Sequence, residues 1–465
     1  MRFIYFLFAI FLTTVSGRAS DTIDDFIDAE MANAGAPGLS YAIVERGQIQ
    51  SGARGEIRRG SDELITPDTL FLIGSISKSF TAVGVMQLFE KGSIDLESEI
   101  SAYLPSFVGR PSGKITVRQL LSHTSGYSTV QGNSFDTSAD HDLSRQVEKM
   151  AQWSPKYAAG SKWQYSNANY VILGAIIEAV SGQEYARYIE SKLFLPIGMT
   201  RSFVAEGRVT HPVAIGHRPW FVGKWPYADD RSYRVIAPAG GIIATADDMA
   251  KYLAVMVNGE DDIISAQSKS AMMRPASATS PYYGLGWSVN SQAGVAFHAG
   301  TSPGVETLAV LVPDEHKGAI VMVNGGSGMG FGETINLRNG IASTALGLEY
   351  APEAGQFSRK LLFLTFIVLP FVFIASALNA VINRRALRSK SGIAGAFSLW
   401  FPLIMTLGLA WCAIYLVPSL FGVSIKSLIL YLPDMAWAMV ITALTGMCWA
   451  VLRLGVYYTD RNRGP

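Results

Sequence analysis

Phe71-Leu72-Ile73-Gly74-Ser75-Ile76-Ser77-Lys78-Ser79-Phe80 is the stretch on which the reading of this chain turns. A glycine ends a short apolar piece, and an apolar, helix-forming run from Phe80 to Phe89 follows and closes at Gly92. The pattern predicts a helix with Ser75 at its mouth, where backbone N–H groups have no partner inside the helix. Residues three apart share a helix face, so Lys78 can reach the Ser75 hydroxyl. Burial lowers the pKa of a lysine, and a neutral amine is able to take the hydroxyl proton. Ser75 is therefore a candidate nucleophile and Lys78 its candidate base. This is the only Ser-x-x-Lys spacing in the 465 residues. By itself the tetrapeptide also fits an ordinary helix start, so its weight depends on context.

Two later motifs supply that context. Tyr165-Ser166-Asn167 precedes an apolar helix predicted over Asn169–Val180. Side chains two apart on an extended segment point the same way, so Tyr165 could relay a proton while Asn167 holds a substrate carbonyl and Lys78. The other reading of this pair is a tyrosine packed at a helix start beside an Asn cap. His298-Ala299-Gly300-Thr301 follows the apolar piece Val295–Phe297. A glycine within a strand pattern marks close approach of another group, here Gly300. The Thr301 N–H, with that of Ser75, could bind a developing oxyanion. His298 is then a polar or cationic group on the cleft wall, or else a hydrogen-bonded structural histidine.

Around these motifs, helical and strand patterns alternate from Asp21 to Tyr350 without a repeat. A helix is expected over Thr22–Ala32, strands over Gly38–Glu45 and Ile49–Arg58, and a short helix over Val117–Leu121. Gly126–Ser144 reads as loop. Gly216–Val235, with Trp220, Trp225, Tyr227 and Tyr233, reads as a hairpin, either overhanging a pocket or lying on the surface. Buried strands are expected over Gly284–Val289, Val305–Val312 and Gly318–Asn324. Strands at both ends with helices between predict an α+β fold: one antiparallel sheet flanked by helices, with a helical insertion.

The two ends of the chain read differently. Met1–Ala19 has Arg2, an apolar run from Phe3 to Leu12 and a small-x-small site at Gly17-Arg18-Ala19, the pattern of a secretory signal peptide; an uncleaved anchor is the alternative. Leu361–Ile382, Gly395–Val417 and Met435–Val456 are each long and apolar enough to cross a bilayer. Arg384, Arg385, Arg388 and Lys390 lie between the first two, and Arg461 and Arg463 follow the third. The positive-inside rule then puts that loop and the C-terminus in the cytoplasm. The expected order is signal peptide 1–19, hydrolase domain 20–350, linker 351–360 and a three-helix membrane region 361–465. The implied location is the cytoplasmic (inner) membrane, multi-pass, with the catalytic domain in the periplasm or outside the cell. The helices serve as an anchor, a surface for a membrane partner protein, or part of a substrate route.

Both cysteines, Cys412 and Cys448, fall in the apolar stretches, so no disulfide holds the exported region. A net charge of +1 gives no case for nucleic acid. The six histidines show no metal-ligand spacing, and neither a metal nor another cofactor is expected.

Taken in order, Ser-x-x-Lys, Tyr-x-Asn and His-x-Gly resemble the serine β-lactamase and penicillin-binding superfamily, in its class C β-lactamase and D,D-peptidase branch. Phe71-Leu72-Ile73-Gly74, Leu120-Leu121-Ser122-His123-Thr124-Ser125-Gly126, Pro196-Ile197-Gly198-Met199 and Ala239-Gly240-Gly241 are similar as well, so the resemblance covers about Thr22–Gly347. It implies Ser75 as acylated nucleophile, Lys78 as base, Tyr165 handling protons at the leaving group and in deacylation, and Asn167, His298, Gly300 and Thr301 binding substrate. His123 is read as structural. One departure stands out: this branch usually carries Lys-Thr-Gly where this chain has His298-Ala299-Gly300. Histidine there resembles some D,D-peptidases, esterases and D-amino-acid peptidases, and it anchors a carboxylate less well than lysine does. An exported hydrolase followed by three membrane helices also resembles the layout of prodrug-activating peptidases. The implied activity is an acyl-enzyme hydrolase acting on amide or peptide bonds of a small-molecule or peptide substrate, with D-amino-acid-containing peptides foremost. An ester or a β-lactam is the alternative substrate, and a penicillin-binding receptor that acylates once is the alternative of another class.

Overall fold

The computed structural model describes residues 23–133, 142–209, 212–229, 231–350, 352 and 355–459. The expected signal peptide, Met1–Ala19, lies outside the described residues. The rest divides into two compact units, the larger running to residue 352 apart from 329–331, and the smaller comprising 329–331 and 355–459.

The larger unit is built on a six-stranded antiparallel sheet. Its strands are β1 (Gly38–Glu45), β2 (Gln48–Gly55), β3 (Ser288–Asn290), β4 (Val295–Ser302), β5 (Val305–Val312) and β6 (Lys317–Val323), in the order β2-β1-β6-β5-β4-β3. N- and C-terminal strands thus meet in the middle, with Leu39 opposite Val323 and Glu45 opposite Lys317. Every residue of β5 is buried because both sheet faces are covered. Leu308, Val310 and Val312 join a core with Ile27 of helix α1 (Ile23–Ala34) and with Leu337 and Ile341 of the terminal helix Thr334–Leu346. Ala309 and Leu311 point into the larger core on the opposite face. The period of two along the strand produces this division.

The larger core centres on helix α2 (Ser77–Glu90), which is buried from Ser77 through Leu88. Its apolar residues fall on every face, as in a helix that sits inside a protein, and Ser77, Lys78, Ser79, Thr81 and Gln87 are buried with them. Phe80 stacks on Tyr252 with ring centroids 3.9 Å apart and meets Phe194 edge-on at 5.6 Å. Helix α3 (Asn167–Ser181) packs beside α2, and its C-cap, Gly182, takes the left-handed conformation. The short helix Val117–Leu121 falls where the pattern places it, held by a capping box of Thr116 and Gln119.

Three expectations need correction. Gly284–Val289 is not a strand along its length, since only Ser288–Asn290 pairs. A Cβ on Gly284 would lie 2.1 Å from the Met272 carbonyl oxygen, and Gly286 has φ +84°, so the segment is a tight loop that glycine alone permits. The stretch read as loop from Gly126 contains a helical turn, Thr129–Gly132, capped by Ser128 and Gln131, and helix Leu143–Met150 begins within its last residues. Part of the expected linker 351–360 is helical, because the first apolar helix already starts at Gln356.

In the smaller unit, helices Gln356–Ile382, Gly392–Leu420 and Pro433–Tyr458 are long and apolar enough to cross a membrane. Thr442 Oγ1 donates to the Phe366 carbonyl at 2.9 Å, tying the first to the third. A five-residue helix, Arg384–Arg388, carries three of the four basic residues between the first two, and Lys390 follows it.

Candidate active site

The turn into α2 is shaped by Gly74, whose φ of +55° suits glycine. It ends the short strand Phe71–Leu72 and leads through a 3-10 turn, Gly74–Ile76, into the helix. Between Ile73 and Leu88, Ser75 alone is not buried, so the fold exposes one hydroxyl of an otherwise enclosed segment. Strand β4 presses on this turn. A Cβ on Gly300 would lie 2.0 Å from the Ile73 carbonyl oxygen, and one on Gly74 would lie 2.9 Å from the Thr301 nitrogen. Thr307 Oγ1, opposite Gly300 in the register, donates to that Ile73 carbonyl at 2.9 Å. Both glycines are therefore conditions for bringing the Ser75 turn beside Thr301.

Lys78 is fully enclosed. Its Nζ lies 3.1 Å from Ser75 Oγ and 2.6 Å from the Ala239 carbonyl oxygen. Burial holds the amine well below the usual lysine range. A neutral amine has two N–H donors and one lone pair. With one N–H on the Ala239 carbonyl, the lone pair is available to the Ser75 hydroxyl. The Tyr165 ring forms a wall of this site, its centroid 4.9 Å from Lys78 Nζ.

His298 stands 6.3 Å from Tyr165 by ring centroids. Its Nδ1 is 2.8 Å from the Ala299 carbonyl and its Nε2 is 3.1 Å from the Tyr283 hydroxyl. A carbonyl only accepts, so Nδ1 carries the proton and Nε2 accepts from Tyr283. Burial, with the nearby Lys78, pushes the His298 pKa down to about 3. Between the two expectations for this residue, the geometry is that of a neutral, hydrogen-bonded histidine and not of a cation. Thr301 Oγ1 donates to Glu306 at 3.1 Å, and Glu306 forms a buried ion pair with Arg338 at 2.7 Å. The strand end that carries the Thr301 amide is held by that pair.

Asn167 differs from expectation. Its Nδ2 donates to Asn133 at 2.8 Å, and it makes no hydrogen bond to Lys78 among the described residues. The Asn167 Oδ1 is buried and accepts no hydrogen bond from the described residues. Ser75, Lys78, Tyr165, His298, Gly300 and Thr301 are brought together, although they lie on α2, on the segment before α3 and on β4. Tyr283, the Ala239 carbonyl and the Glu306–Arg338 pair were not foreseen. Ala239 belongs to a stretch that the sequence already marked, whereas nothing local marks Tyr283.

The profile of the Beta-lactamase family matches residues 23–342. The chain belongs to the Beta-lactamase family. Protein flp of Staphylococcus aureus (strain N315) is 25% identical over 323 residues, covering 67% of this chain and 64% of flp. The chain thus spans just under two thirds of the length of that relative. Among solved structures, the octameric penicillin-binding protein homologue from Pyrococcus abyssi is 25% identical with a TM-score of 0.60, over 73% of this chain and 80% of that one. A D-stereospecific amidohydrolase from Streptomyces sp. is 26% identical with a TM-score of 0.53, over 65% of this chain and 93% of that one. This Beta-lactamase family fold is the α+β architecture expected from the sequence, with its sheet flanked by helices.

Proposed function

We propose that this chain is a membrane-anchored serine hydrolase that opens amide or peptide bonds through an acyl-enzyme at Ser75. The observation that carries the reading is the enclosed Lys78 amine, 3.1 Å from the Ser75 hydroxyl and engaged on its other side by the Ala239 carbonyl. As Ser75 Oγ attacks the substrate carbonyl, Lys78 takes its proton. Negative charge gathers on the carbonyl oxygen, near the N–H groups of Ser75 and Thr301. Tyr165 passes a proton to the departing amine. Water then attacks the ester, and the same groups act in reverse to release the acid. Asn167, two residues from Tyr165, orients the substrate.

The substrate class follows from the neutral His298. A cation at this place would hold a free carboxylate, whereas a neutral ring favours an uncharged group beyond the scissile bond. Internal peptide bonds and simple amides fit, and β-lactams, which carry a carboxylate there, fit less well. Likeness to the D-stereospecific amidohydrolase supports D-amino-acid-containing peptides as the first substrates to try. The three apolar helices and the basic segment Arg384–Lys390 support an inner-membrane anchor with that loop in the cytoplasm and the hydrolase domain outside it.

The test is labelling of purified full-length protein with a fluorophosphonate probe. The reading expects labelling of wild type and none of Ser75→Ala, with hydrolysis of an acyl-D-alanine anilide lost in the same variant. Unchanged labelling of Ser75→Ala would remove Ser75 from the mechanism.

A further inference from the structure

His123 takes part in no step of the reaction above, yet its surroundings are unusual. It is fully buried and has φ +59°, a left-handed conformation that a non-glycine residue adopts at a cost. The observed turn lets one residue grip the segment before α3 at two places. The His123 carbonyl accepts from Gln164 N–H at 2.9 Å, and the His123 Nδ1 accepts from Ser166 N–H at 3.2 Å. Gln164 and Ser166 are the two chain neighbours of Tyr165. The ring itself lies against the Tyr165 ring, with centroids 4.4 Å apart.

His123 is in turn held. Asn169 Nδ2 lies 2.9 Å from the same Nδ1, and Ser125 Oγ donates to Asn169 Oδ1 at 2.6 Å. With Nδ1 accepting from Ser166 and Asn169, the ring proton belongs on Nε2. That atom is buried without a hydrogen-bond partner among the described residues, and the centroids of the Tyr170 and Tyr283 rings lie 5.2 and 4.8 Å from that of the His123 ring. Two hydrogen bonds from a left-handed turn fix this three-residue segment, whose middle member carries the ring beside Lys78.

We infer that His123 is the positioning residue for Tyr165, setting its place beside Lys78 by clamping the backbone on both sides and packing against its ring. This rests on the proposed proton transfer by Tyr165. A displacement of about 1 Å at such a group costs about 100-fold in rate. Asparagine tolerates the left-handed conformation and can place an acceptor oxygen near the position of Nδ1. It therefore restores part of the clamp where alanine does not.

The experiment uses full-length protein in detergent with four variants: His123→Ala, His123→Asn, Tyr165→Phe and the double variant His123→Ala/Tyr165→Phe. Fluorophosphonate labelling needs Ser75, Lys78 and the oxyanion donors but not Tyr165, because fluoride leaves without a proton donor. Turnover of an acyl-D-alanine anilide needs the donor as well. His123→Ala is expected to keep its labelling rate and to lose about 100-fold in kcat with KM little changed. His123→Asn is expected to recover most of that loss, and the double variant to be no slower than Tyr165→Phe. The inference is overturned if His123→Asn turns over no faster than His123→Ala, if both lose labelling as well as turnover, or if the double variant loses the product of the single losses. Failure of the hydrolase reading looks different: wild type itself would then take no label at Ser75, or Tyr165→Phe would turn over at the wild-type rate.

Discussion

Lys78 Nζ lies 2.6 Å from the carbonyl oxygen of Ala239, a residue 161 positions further along the chain. That bond occupies one amine hydrogen and holds the nitrogen 3.1 Å from Ser75 Oγ, so a carbonyl with no chemistry of its own positions the base for proton transfer.

A base of this kind has a particular pH signature. The Lys78 pKa is lowered by burial, so the neutral amine is present well below the ordinary lysine pKa of 10.5. The acylation rate, measured by probe labelling, should rise with pH to that lowered value and then stay level. Lys78→Met should lose about 1,000-fold at the plateau while the protein remains folded by circular dichroism. An acylation rate that keeps climbing toward pH 10.5 would contradict a buried base.

Gly300 tests the approach of β4 to the nucleophile turn. Gly300→Ala would drive a methyl into the Ile73 carbonyl and Thr307 Oγ1, neither of which is the tip of a long flexible side chain. The strand must move away, carrying the Thr301 amide with it. Acylation should fall by about 100-fold or more, as when an oxyanion donor is lost. Near-normal acylation of Gly300→Ala would place the oxyanion donors elsewhere.

For His298 the prediction concerns selectivity. Its pKa of about 3 means that its charge does not change between pH 5 and 8, so no inflection near 6.5 should come from this residue. Paired acyl-D-alanyl-D-alanine substrates, one with a free carboxylate and one amidated, should show the amide preferred. His298→Lys should shift the ratio of kcat/KM toward the carboxylate by about tenfold, the size of one charge-assisted hydrogen bond. An unchanged ratio would show that substrate ends lie away from this residue.

Lys224 links stability to pH. Its amine donates to the Ala34 carbonyl and to Thr334 Oγ1, and burial lowers its pKa to about 7. Between about 7 and 10.5 the unfolded chain binds a proton that the native state does not, so stability rises with pH across that window and the cost is fully present below it. The Tm of the full-length protein should therefore climb from pH 7 to pH 10. Lys224→Met should flatten that slope, though not to zero, because Lys78 has the same sign. A slope unaffected by Lys224→Met would mean that the native amine titrates normally.

Much of the fold was legible because its signals are local. The continuous apolar run of β5, the largely apolar stretch from Phe80 to Leu88 in α2 and the three long apolar stretches each announce an element within one window of sequence. The failures were local conflicts resolved from elsewhere. Gly284–Val289 has a strand's composition, yet the Met272 carbonyl and helix α2 crowd it into a loop. In the site, the Ser75–Lys78 spacing lay within one helical turn and could be read directly, and Tyr165 and His298 could be named from their motifs.

Sequence alone therefore determined which residue types were available and on which elements: a hydroxyl and an amine on one helix face, a tyrosine before a second helix, a histidine and two small residues on a strand. Tertiary structure decided their states. Lys78 has a lowered pKa because α2 is enclosed on all sides, and His298 is neutral because burial, with Lys78 nearby, disfavours its cation. His123 holds Tyr165 only because a left-handed turn brings both its acceptors against Gln164 and Ser166. Spacing along a chain can place two groups on one face, but protonation and orientation depend on what surrounds them, and here those surroundings reach from Ala299, next to His298, to the Ala239 carbonyl 161 positions beyond Lys78.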